Sequence, residues 1–169
     1  MREVRRGLAA GEGVAMARSK TAAVAARLCN IVMYLQKRRV VKASEAAKDL
    51  GLSHEQLYYA VKLLDGSVCY KVVGKYAFLA VTCEELERHL NKFYEEAVST
   101  AKKMVDGCKS AVCCAKLIDL VAELTRRDPP RPTDLAFYGD LLSRGGDLVV
   151  ERTPRGSSDV RVRVCVKRR

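Results

Sequence analysis

The chain has 169 residues and a formal net charge of +11, from 31 Lys plus Arg against 20 Asp plus Glu. With 49% hydrophobic and 30% charged residues the composition is globular rather than disordered. The longest apolar runs, such as Tyr76 to Val81, fall far short of the roughly 20 residues that cross a bilayer. Glu12 breaks the one apolar stretch near the N-terminus, so no secretory signal is visible and a cytoplasmic location is expected. The positive charge then points to nucleic acid as the partner rather than a membrane. Asn and Gln number only four, Asn30, Gln36, Gln56 and Asn91, a scarcity expected of a thermophilic source.

Taken in chain order, residues 1–19 mix Gly, Ala, Arg and Glu without periodicity and read as a basic, disordered arm. From Lys20 to Arg38 apolar residues recur at three- and four-residue steps (Val24, Leu28, Ile31, Val32, Leu35), which predicts a helix ending in the basic cluster Lys37, Arg38 and Arg39. Val40 and Val41 form a short extended link. A second helix is expected over Ser44 to Leu50, with Gly51 as its C-terminal cap. Ser53 then caps a third helix, His54 to Leu64. Val68 to Val73 and Tyr76 to Val81 read as strands joined at Gly74-Lys75, a hairpin signal.

Thr82 and Glu85 form a capping box that opens a long helix to about Val105, with Leu86, Leu90, Phe93, Ala97, Ala101 and Met104 on one face. After Asp106-Gly107 another helix is predicted from Ser110 to Arg126, making residues 82–127 an αα-hairpin that can serve as a homodimer seam. Pro129, Pro130 and Pro132 stiffen a linker. A short helix capped by Thr133 follows, to about Ser143. Strands at Leu148 to Arg152 and Val160 to Val166 close the chain. The last alternates Val160, Val162, Val164 and Val166 with Arg161, Arg163, Cys165 and Lys167, so one face is expected to be buried and the other basic and wet. The fold class expected is therefore α+β, mostly helical.

The charge follows this division. Residues 21–81 carry nine basic and four acidic side chains, whereas residues 82–127 carry eight of each. Both ends are basic around a neutral middle.

The seven cysteines show no CxxC pair and no Cys/His spacing suited to zinc, and His54 and His89 are isolated. On a helix Cys113 and Cys114 would point about 100° apart, away from any common ion. They are expected as small buried residues, with a disulfide the lesser option. There is no Gly-rich phosphate loop, nucleophile elbow or paired His, so no catalytic residue, metal or cofactor is assigned and the protein is read as not an enzyme.

Residues 20–81 carry a more specific pattern. Ala46 or Ala47 supplies a small residue where two helices cross. Gly51 lies in the turn, Ser53 opens the next helix, and Leu57, Val61 and Leu64 hold that helix to a core. This segment resembles the winged helix-turn-helix domain of archaeal and bacterial transcription regulators, such as the ArsR, MarR and PadR groups. The resemblance implies DNA binding, with His54 to Leu64 as the recognition helix. Tyr58, Tyr59 and Lys62, with Gln56 at the margin, would face a major groove, which admits one helix. Lys71 and Lys75 on the hairpin, and Arg38, Arg39 and Lys42 beside the domain, would grip phosphate. Arg161 and Arg163 would add a second basic surface on the C-terminal hairpin. Duplex DNA is the expected ligand and a homodimer the expected assembly. An RNA-binding or ribosome-associated protein is the rival reading, and a protein-interaction module is the third.

Overall fold

We describe the structure, a computed structural model, over residues 2–155 and 159–167, with side chains described for residues 20–152 and 163–166. Among these residues the chain forms six helices and six strands in an α+β fold that is mostly helical. In chain order they are α1 (Arg2–Arg38), β1 (Val40–Lys42), α2 (Ala43–Leu50), α3 (His54–Leu63), β2 (Cys69–Val73), β3 (Tyr76–Ala80), α4 (Cys83–Met104), β4 (Val112–Lys116), α5 (Leu117–Thr125), α6 (Pro132–Ser143), β5 (Val149–Arg155) and β6 (Asp159–Lys167). The strand orders are β1-β3-β2 and β4-β6-β5. The chain divides into two compact units, Met1–Tyr70 with Leu79–Cys83, and Lys71–Phe78 with Glu84–Arg169.

In the first unit Ile31 and Leu35 from α1, Ala46 and Ala47 from α2, and Leu57, Ala60 and Val61 from α3 are buried. Each large side chain buried this way contributes about 1.5–3 kcal/mol. The short alanines are what lets the helices cross closely. α2 ends as expected: Gly51 is left-handed at φ 65°, and the Leu52 N–H reaches back to the Ala47 carbonyl at 2.8 Å. α3 starts on a complete capping box. The Ser53 hydroxyl accepts from the Gln56 N–H at 3.1 Å, and the Gln56 side chain accepts from the Ser53 N–H at 3.0 Å. A disulfide joins Cys69 to Cys83.

The second unit is built on α4, whose Leu86, Leu90, Ala97, Val98 and Ala101 are buried, together with α5, α6 and the antiparallel sheet of β4, β5 and β6. α6 begins on Pro132, with Arg131 rather than Thr133 as its N-cap. Its Phe137 meets Tyr76, Phe93 and Tyr138 edge-on and Phe78 at a tilt, with centroids 5.0–5.8 Å apart. Two further disulfides, Cys108–Cys113 and Cys114–Cys165, lie in this unit.

Four sequence expectations are corrected. The arm of residues 1–19 is not separate from the helix that follows: its backbone from Arg2 onward is the first half of α1. Residues 112–116 form a strand, so 82–127 is not an αα-hairpin. The apolar spacing of Val112, Ile118, Val121 and Leu124 suggested a helix through the whole stretch, but β6 takes residues 112–116 as a neighbour, and α5 buries Leu117, Leu120 and Val121 instead. Six of the seven cysteines are paired, and Cys29 alone is free, on an exposed part of α1. Finally, the last strand keeps the expected alternation at buried Val164 but departs from it at Cys165. Cys165, on the supposedly wet side, is buried and bonded to Cys114 directly opposite it. Arg163 does stay exposed.

Candidate nucleic-acid interface

The burial of α3 sorts its side chains onto two sides. Leu57, Ala60 and Val61 face the core of the first unit, while Gln56, Tyr58, Tyr59 and Lys62 face water. All four side chains are exposed, but at 100° per residue Gln56 lies about 40° from the buried Ala60, at the margin of the surface that Tyr58, Tyr59 and Lys62 share. Tyr58 is 42% and Tyr59 65% exposed. Tyr58 stands at the centre of a small cluster. The Lys62 ammonium lies 4.6 Å from its ring centroid, a cation–π contact. Tyr59 meets it edge-on at 6.3 Å, and Tyr70 at 6.0 Å. Tyr70, on β2, was not identified from the sequence. Its signal was the alternation of β2, which buries Cys69 and Val73 and turns Tyr70 outward.

Gln56 is only half available. Its side-chain oxygen is engaged in the α3 capping box, leaving the amide NH2 as a donor to a ligand. Glu55 is also exposed in the first turn of α3, where its charge suits the helix dipole but opposes phosphate.

The basic residues beside α3 are committed in different ways. Arg38 reaches Glu45 at 3.3 Å and Asp49 at 3.6 Å, and lies 5.9 Å from the Tyr34 ring. Its charge is largely answered inside the unit. Tyr34 in turn donates to Asp49 at 2.5 Å; burial, then that hydrogen bond, push its phenol up to about 12. Arg39 sits at a positive φ of 65°, where its carbonyl accepts from the Val81 N–H at 3.0 Å. Lys42 is the N-cap residue of α2.

The hairpin tip behaves differently from the α3 surface. Residues Lys71–Phe78 belong to the second unit, and within it they are tied down. The Gly74 N–H donates to Asp140 at 2.7 Å, and Arg144 donates to the Val72 carbonyl at 3.2 Å. The Tyr76 hydroxyl donates to Asp134 at 2.8 Å. Gly74 lies so close to α6 that a Cβ there would stand 2.5 Å from the Ala136 backbone. Lys71, expected to contact phosphate, is ion-paired with Glu87. Lys75, in the turn, is exposed.

In the C-terminal sheet Arg163 is exposed and pairs with Glu151 at 3.4 Å. Arg161 lies on β6 with its side chain outside the described residues, as do the side chains of Arg155, Lys167, Arg168 and Arg169. A ligand atom from each of Cys114, Cys165 and Glu151 lies within 4.8 Å of the others, but the two sulfurs are bonded to each other and offer no thiolate to a metal. In the apolar stripe of α4, expected as a dimer seam, Leu86, Leu90, Ala97 and Ala101 are buried within the chain, while Met104 is exposed. Among the described residues no helix is long and apolar enough to cross a membrane.

No family model matches the chain, and no curated protein does. One solved structure is similar, that of a hypothetical protein from Pyrobaculum spherical virus. The two share 16% identity with a TM-score of 0.53, over 86% of this chain and 95% of the viral one. At that identity the likeness speaks of the fold alone.

Proposed function

We propose that residues 20–81 are a winged-helix module that holds nucleic acid against the exposed side of α3, and that the protein acts as a DNA-binding regulator without catalysis. The observation that carries this reading is the sorting of α3: an apolar side seated in the core and an outward side of Tyr58, Tyr59 and Lys62, with Gln56 at its margin. A helix set on a core in this way can enter a major groove, and the segment's excess of basic over acidic residues supplies the long-range attraction. The reading differs from the usual winged-helix picture in one respect. With Lys71 paired and the hairpin tip bonded to α6 in the second unit, phosphate contact in the first unit rests on Lys62.

The test is a binding titration with duplex DNA, single-stranded DNA and structured RNA across a salt series. A steep salt slope with duplex preference is the expected result. Lys62→Ala should lower the slope by about one and weaken binding evenly across sequences. Preference for structured RNA would transfer the function to the rival, ribosome-associated class. Absence of salt-dependent binding to any of the three would overturn both and leave a protein-interaction module. Light scattering on the same samples reads the assembly state.

A further inference from the structure

We propose that the cluster of Tyr59, Tyr58 and Tyr70 is a stacking surface for unpaired nucleobases, so that the ligand is a strand with exposed bases and not only a closed duplex. This rests on α3 being the nucleic-acid surface and goes further, because it names which part of the nucleic acid is held. Three observations carry it. First, three aromatic rings from two elements, α3 and β2, sit together at the surface of the first unit, with Tyr58 at their centre. Second, they are open to water rather than covered: Tyr59 is the most exposed, and Tyr70 is still 38% exposed. Third, a cation is placed among them, with Lys62 against the ring of Tyr58.

The geometry divides the work. Lys62 already occupies the space over Tyr58, so Tyr58 serves as the fixed centre of the cluster. Tyr59 and Tyr70 meet it at steep interplanar angles of 64° and 66° and offer their own exposed surfaces to bases. Every base has a π-face, so stacking of this kind tolerates sequence. Lys62, held against the central ring, brings a point charge suited to phosphate into the same cluster. A closed duplex hides its base faces, and its groove edges are read by hydrogen-bonding side chains rather than by clustered phenols. Single-stranded DNA and single-stranded RNA share the chemistry proposed here, and the experiment separates them. An apolar neighbour, Leu63, is also exposed, so self-association through the same patch is a competing outcome that the experiment must read.

The full chain is titrated against a short oligonucleotide bearing 2-aminopurine, whose fluorescence reports stacking, in three forms: single-stranded DNA, single-stranded RNA and closed duplex DNA. Fluorescence anisotropy of an end label reports binding separately. The expected result is a 2-aminopurine change on one or both single strands and none on the duplex. Tyr59→Ala and Tyr70→Ala should each weaken single-strand binding about tenfold or more. Tyr59→Phe, which keeps the ring, should restore both the affinity and the fluorescence change. If Tyr59→Ala binds single strands as tightly as the parent, the stacking proposal is overturned while duplex binding by α3 stands. If Tyr59→Ala alters only the mass seen by light scattering, the patch is a self-association surface and the proposal fails. If no oligonucleotide form binds, the proposed function fails with it.

Discussion

Two clusters of rings in this chain have opposite settings. In the first unit Tyr58, Tyr59 and Tyr70 form a cluster of tyrosines alone, exposed, with a lysine against it. In the second, Tyr76, Phe78, His89, Phe93, Phe137 and Tyr138 form a cluster that holds all three phenylalanines of the sequence, with Phe78, Phe137 and Tyr138 buried. The residue types follow the setting. A phenyl ring gains only by leaving water, whereas a phenol can keep its hydroxyl wet while its ring makes contacts. Burial also shows in the titrating groups of the second cluster. Tyr138 is pushed up to about 12 mainly by desolvation, and His89 is lowered, first by burial and then by the Lys92 charge. One cluster therefore holds a unit together, and the other presents rings that no fold requirement explains.

Truncating one ring from each cluster should have unequal effects on stability. Phe137→Ala should cost about 3–5 kcal/mol, because it removes the ring that four others touch. Tyr59→Ala should stay within about 0.5 kcal/mol of the parent. Urea unfolding of the two variants decides it; equal losses would mean that the surface rings are structural after all. The disulfides sharpen the comparison next. Loop closure by Cys114–Cys165, separated by 51 residues, predicts about 4 kcal/mol of stabilisation, against about 3 for Cys69–Cys83 at 14 and about 2 for Cys108–Cys113 at 5. Paired Cys→Ser variants compared by thermal melts should fall in that order. Loss of Cys114–Cys165 should be felt in the second unit while leaving the ring cluster of α3 intact.

The parts legible in the sequence were those set by short-range chemistry. Gly51 and Ser53 announced the end of α2 and the start of α3, and Leu57 with Val61 announced the buried side that turns Tyr58, Tyr59 and Lys62 outward. What was not legible depended on partners distant in the chain. Cys113-Cys114 carries no local sign of being a strand; β6, some fifty residues on, makes it one, and Cys165 supplies the covalent partner. The ion pair of Lys71 was not legible because its partner, Glu87, is on the next helix. Tyr70 was missed for a similar reason: only folding brings a β2 side chain beside an α3 ring. The candidate surface was thus half visible: periodicity gave its helical part, while the alternation of β2 turned Tyr70 outward without placing it beside Tyr58.

The smallest effect concerns how the hairpin tip is held, the feature that most distinguishes it from the open α3 surface. Burial alone would raise the Asp140 carboxyl, but the Gly74 N–H at 2.7 Å and the Arg144 guanidinium at 3.1 Å outweigh it and hold it below its usual value. A carboxyl held low in the folded chain contributes stability that is complete above the unfolded value near 3.8 and is lost as pH falls through the folded one. Its side chain is 36% exposed, so water screens the pair, and the contribution is on the order of 1 kcal/mol or less. Asp140→Asn should therefore melt slightly below the parent at neutral pH, and the gap should close as the pH is taken below about 4. A gap that persists in acid would show that shape, not charge, fixes the tip. A gap that closes would show that the tip is held by an ion pair and a charged hydrogen bond, so that acid loosens it while Tyr59 and Tyr70, which depend on neither, keep their place.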